Sequence, residues 1–140
     1  MNYLVYLDTR AGELERVLSG VKTMLIKELD PAGTTTYPVR RGDSLYFVRD
    51  NGESAVRVKA TVTRALSLTN RLGQDLSHAL KEMQPRLQLT EEQYNYWSAR
   101  DQVLLVEFES AHKIGAIEVA PRKIADRSDW VAFRDLSLIT

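Results

Sequence analysis

The sequence predicts a single α+β domain, and three observations predict it. The 140 residues show no repeat, low-complexity tract or linker that would divide them, and a chain of this length can bury one core. Ala55–Leu66 alternates as a half-buried strand, with Val56, Val58, Ala60 and Val62 on one side and Arg57, Lys59, Thr61 and Thr63 on the other. Leu72, Leu76, Ala79, Leu80 and Met83 recur instead at helical spacing.

The remaining elements follow in order. Asn2–Leu7 is short, aromatic and aliphatic, which suits a buried strand. Asp8 or Thr9 then caps a helix running through Ser19, with Leu14, Val17 and Leu18 on its apolar face and Gly20 as its stop. The stretch 22–27 favours a strand, since Gly20 separates it from that helix. Asp30-Pro31-Ala32-Gly33, the threonines after it and Pro38 are loop chemistry. Ser44–Val48 is a strand, and Asp50-Asn51-Gly52 suits a two-residue hairpin turn, because Asn-Gly tolerates positive φ. Pro85 ends the amphipathic helix. Thr90-Glu91-Glu92-Gln93 is a capping box opening a short helix with Tyr94, Tyr96 and Trp97. Val103–Phe108 and Ile114–Val119 read as two further strands. Trp130 and Phe133 form an apolar seam in a mixed tail.

Composition removes several function classes. There are 19 basic and 19 acidic residues, so the formal net charge is zero. Attraction to a polyanion must then come from a local patch. The absence of cysteine excludes a disulfide scaffold, a thiolate metal site and a cysteine nucleophile. The hydrophobic content of 44% with 27% charged residues argues for a folded chain. The first residues lack a basic start, and their apolar run is too short for a signal peptide. No window approaches the roughly 20 apolar residues of a membrane span. A cytoplasmic protein without a membrane partner or cofactor is expected.

Few residues carry recognisable chemistry. His78 and His112 have no second ligand at metal spacing, so structural or solvated roles are expected for both. No phosphate-binding loop, dinucleotide fingerprint, nucleophile elbow or zinc-protease helix occurs. Glu107 and Glu109 share a strand face, so paired carboxylates are conceivable there. Tyr94, Tyr96 and Trp97 could stack on bases, although packing explains such a cluster as well. Lys22, Lys27, Arg40 and Arg41 lie near glycines and turns, where cations beside exposed amides suit phosphate or carboxylate.

Two segments carry a family likeness. Leu18-Ser19-Gly20-Val21-Lys22-Thr23, a loop, and then Val39-Arg40-Arg41-Gly42-Asp43-Ser44-Leu45-Tyr46-Phe47 resemble the ASCH domain of the PUA-like superfold. Thr90-Glu91-Glu92 and the strands Val103–Phe108 and Lys113–Val119 continue the likeness. The resemblance covers roughly residues 3 to 119. It implies a small, bent, mostly antiparallel β-barrel flanked by helices, about residues 2–120, with residues 121–140 as an extension of one domain. It implies a cleft beside the Gly-x-Lys strand in which RNA or a nucleotide binds. Gly20, Lys22, Thr23, Lys27, Arg40, Arg41, Tyr94 and Trp97 are the expected ligand-binding residues.

Some small bacterial ASCH proteins are amidohydrolases acting on acetylated cytidine. Their motif is Gly-x-Lys-Thr-x-Thr-x-Arg, and its Lys and second Thr act with a Glu from elsewhere. Gly20, Lys22 and Thr23 match that pattern, whereas Leu25 stands at the second Thr and Lys27 at the Arg. Glu82, Glu91 and Glu92 are candidates for the glutamate. Amidohydrolysis and a protein-interaction role are therefore the alternatives to a binding module.

Overall fold

The structure, a computed structural model, describes residues 1–28, 39–50, 52, 54–70, 75–120 and 130–140. Strand β1 (Asn2–Leu7) lies inside the sheet because it is apolar on both faces. Tyr3, Val5 and Leu7 join one core and Leu4 joins another. A short helix α1 (Glu13–Ser19) and strand β2 (Met24–Glu28) follow. Then come β3 (Ser44–Arg49), β4 (Ala55–Thr69), helices α2 (Leu76–Leu87) and α3 (Glu91–Ser98), β5 (Gln102–Glu118) and β6 (Val131–Phe133).

Six strands form one mixed sheet in the order β2-β5-β4-β3-β1-β6. β1 and β3 are parallel, and the other pairs are antiparallel. The long β4–β5 ribbon changes register between Val56 and Val58, Lys59 and Thr61, and Val62 and Arg64. Such bulges bend a ribbon and increase its twist. The sheet therefore curls into the half-barrel expected of an α+β fold of this type. Leu14 and Val17 of α1 share one core with Val58, Val62 and Phe108, while α2 seals Met24, Val103 and Leu105 with Leu76, Leu80 and Leu87.

Several elements differ from the sequence reading. α1 begins at Glu13, behind Gly12 in the left-handed region, with no side-chain cap. Asp8 instead accepts the amides of Arg10 and Ala11, so it folds the turn ahead of the helix. Pro85 lies within α2, which continues to Leu87. Only Arg86 and Leu87 follow the proline in the helix, and Gln88, in the left-handed region, closes it onto the Gln84 carbonyl. β5 is one strand rather than two, because bulges near Ser110 (φ 58°) and Gly115 absorb the break in its apolar pattern. Trp130 and Phe133 do not form one seam: Trp130 packs against Tyr3, and Phe133 against Tyr46 in a separate core.

Two features match the sequence reading closely. Gly20 ends α1 at φ 83°, a conformation that suits a residue without Cβ. Thr90 and Gln93 form both halves of the capping box. The expected loop at 30–36, Pro38, Asn51 and Leu72 lie outside the described residues.

Candidate functional site

A hollow of about 600 Å³ opens where the end of β1, the start of α1, strand β2 and helix α3 meet. Its volume falls within the range of small-molecule sites. Val5, Leu7, Leu25 and Leu89 give it apolar walls, and Tyr6, Tyr96, Trp97 and Trp130 give it aromatic ones. Lys27 stands 5.5 Å over the Trp130 ring, and Tyr96 meets Trp97 edge-on at 4.9 Å.

The polar floor is built from three elements. Gln93 is fixed by its capping role: its Oε1 accepts the Thr90 amide at 3.0 Å, so its Nε2 must face the other way. Nε2 donates to Glu13 Oε1 at 3.0 Å and to Asp8 Oδ2 at 3.3 Å. One neutral amide thus ties two carboxylates from the β1–α1 segment to α3. Burial pushes the Glu13 carboxyl above its ordinary pKa, and the Asp8 charge adds to that rise. The Lys22 charge and the hydrogen bonds to Gln93 and Asp8 oppose it.

Lys22 lies behind this floor and is only 2% exposed. Its ammonium donates to the Leu87 carbonyl, at the C-terminal end of α2. Arg16 donates to the next carbonyl, that of Gln88, at 3.0 Å. Two cations therefore satisfy carbonyls that a helix end leaves open, where positive charge is favoured. Burial pushes the Lys22 pKa below the usual lysine value; Glu13 opposes that shift and Arg16 reinforces it.

Of the ligand-binding residues expected from sequence, Lys22, Lys27 and Trp97 border this hollow together. Gly20 and Thr23 border a smaller one beside Phe108 and Glu109. Arg40 and Arg41 are exposed in the turn before β3 and line neither hollow. The Arg40 amide donates to Asp43, and the Arg40 charge reaches Tyr3, one ring removed from Trp130. Tyr94 is anchored elsewhere, its hydroxyl donating to the Ser77 carbonyl at 2.7 Å.

Glu107 accepts from Arg64 and Arg86 at 3.5 and 3.3 Å, so it is engaged by guanidiniums rather than by Glu109. The exposed His78 pairs with Glu82, and His112 with the Ser110 carbonyl. The glutamate beside Lys22 is Glu13, which sequence reasoning missed, along with Asp8 and Gln93. The capping box was visible, but nothing in it showed that the Gln93 amide would reach across to β1.

No protein-family model matches the chain, and no curated protein matches it. Solved structures do. The ASCH protein from Zymomonas mobilis is 12% identical with a TM-score of 0.69, over 95% of this chain and 87% of that one. Its tyrosine-to-phenylalanine variant is 12% identical with a TM-score of 0.70, over 96% and 91%. Its serine-to-alanine variant is 13% identical with a TM-score of 0.70, over 99% and 96%. The class that the curled mixed sheet and its three helices define is the PUA-like α+β fold. Within that class the fold of this chain is that of the ASCH domain, as the resemblance in sequence implied.

Proposed function

We propose that the hollow is a binding site for the base and sugar of a nucleotide or of one residue of RNA. One observation carries this reading: both tryptophans of the chain, Trp97 and Trp130, border one hollow whose floor is the Glu13–Gln93 pair. Aromatic faces stack on a base for roughly 1–3 kcal/mol each. The carboxylates of Glu13 and Asp8, held in place by the Gln93 amide, offer acceptors to the edge of a flat heterocycle. Neutral net charge keeps phosphate contacts few, so affinity should fall only shallowly with salt.

Tryptophan fluorescence tests it, because both reporters stand in the site. Titration with nucleosides, their monophosphates and short single-stranded RNA should give saturable quenching for at least one of them. Trp97→Ala should weaken that binding by about 10- to 100-fold, the equivalent of one lost stacking contact. A signal that fails to saturate with every one of these compounds refutes the reading.

A second reading, hydrolysis of an acetylated nucleoside in the same hollow, is favoured by the meeting of Lys22 and Glu13 there. Leu25 is buried in the wall at the position of the missing hydroxyl. The attacking group would have to be water, with Glu13 as its base. Acetylcytidine left intact between pH 5 and 9 would end this alternative.

A further inference from the structure

The charge around the hollow says more than its shape. Among the described residues, Asp8, Glu13, Glu28 and Asp50 line it, against Lys22 and Lys27 and no arginine. Moving a proton from Lys22 to Glu13 leaves the sum unchanged, since one positive and one negative charge vanish together. The described lining therefore carries a formal charge of two negative units in either state. The Lys22 ammonium is turned to the Leu87 carbonyl, at the end of α2. Among the described lining residues, a phosphate in this hollow would meet four carboxylates, with Lys27 as the cation not turned to a helix end.

The rings also behave as cation sites. Lys27 lies over Trp130 at 5.5 Å, and the Arg100 guanidinium lies over Tyr96 at 4.5 Å. The negative face of an aromatic ring attracts positive charge, most strongly in tryptophan. The carboxylates, by contrast, do not converge on a point. Among the described residues, no three acidic or imidazole groups stand where they could hold a metal ion. Charge spread around a hollow with aromatic walls matches a flat cation whose charge is itself spread over a ring.

We propose that the hollow selects a nucleoside whose base is a cationic, ring-methylated heterocycle, and disfavours phosphate on the same unit. This rests on the nucleoside-binding reading and adds the charge of the ligand to it. Stacking comes from Trp97 and Trp130, and the positive ring is balanced by Glu13 and the acidic wall. Lys27 is the residue the ligand would displace from the face of Trp130.

Three probes decide it: 1-methyladenosine, which is positively charged at neutral pH, adenosine, and adenosine 5′-monophosphate. Calorimetry and tryptophan fluorescence should rank them in that order. About a tenfold gain is expected for the cation over the neutral nucleoside, and a further loss for the monophosphate. Glu28→Lys reverses an exposed charge at the end of β2, and it should narrow the gap between 1-methyladenosine and the monophosphate severalfold. If adenosine or its monophosphate binds as tightly as 1-methyladenosine, the charge selection is wrong while the nucleoside reading stands. If none of the three binds, the charge selection falls, and the nucleoside reading falls with it only where the wider titration with nucleosides, monophosphates and RNA also gives no saturable signal.

Discussion

Replacing Gln93 by glutamate separates two roles that this side chain combines. As the third residue of a capping box, glutamate is at least as good as glutamine, and it suits the positive end of a helix. A residue that only caps α3 would therefore tolerate the change or gain from it. Gln93 also donates to Glu13 and Asp8 at 3.0 and 3.3 Å. The substitution removes both donors and puts a third carboxylate between two others. At a separation near 4 Å, each like-charge pair costs about 1 kcal/mol in bulk water and about 4 kcal/mol at a protein-surface dielectric. The site is half-buried and open to water on one side, so a net loss of roughly 2–4 kcal/mol at pH 7 is expected once the lost hydrogen bonds are included.

The sign of its pH dependence is fixed as well. The added charge raises the folded-state pKa of the cluster, so the folded chain binds protons that the unfolded chain has released. Stability then falls as pH rises from the ordinary carboxylate range, and the deficit should shrink as pH falls toward 4. Urea unfolding followed by tryptophan fluorescence between pH 4 and 8 measures both effects. A Gln93→Glu protein as stable as the parent at pH 7 would show that the amide bridge contributes nothing.

Glu13→Gln should remove a pH dependence of the parent. The raised Glu13 pKa makes the parent lose stability as pH rises from the carboxylate range through the folded value, and the urea midpoint of the variant should be flatter there. Lys22→Met should act at the alkaline end. The lowered folded pKa of Lys22 makes parent stability rise as pH climbs from that value toward the ordinary one, and the variant should lack this rise in the same assay. Gly20→Ala tests backbone strain alone, because a Cβ there meets nothing within 4 Å. At φ 83° it should cost about 1 kcal/mol by urea unfolding. Leu80→Ala empties a fully buried position under α2 and should cost about 2–5 kcal/mol in the same measurement.

How legible each part was follows from the range over which its physics acts. The β4 alternation, the Gly20 stop and the Thr90–Gln93 box are set by residues within four positions of one another, and each was readable. The β5 strand was split because its bulges are answered by β4, some fifty residues away, and a local pattern registers only the interruption. The basic cluster grouped Lys22 with Arg40 and Arg41 by type and by nearness to glycines. The chain carries the arginines into the turn before β3, while α1 turns Lys22 inward to the end of α2. Sequence shows that a residue is cationic but not which carbonyl it will face, and a buried lysine on a helix end looks the same as one aimed at phosphate. The acidic half of the hollow was hidden for the same reason. Asp8 reads as a cap and Asp50 as part of a turn, and nothing local sets Glu13 apart from the other acidic residues of the chain. Only the parallel pairing of β1 with β3 brings the chain after each of those strands to one end of the sheet. That pairing joins Leu7 to Arg49, so Asp8 and Asp50 emerge side by side, and Asp50 accepts the Thr9 amide at 2.9 Å. The negative wall is thus a product of topology, and an aromatic helix docked over it by the Gln93 amide turns two turn residues and a helix start into one side of the hollow.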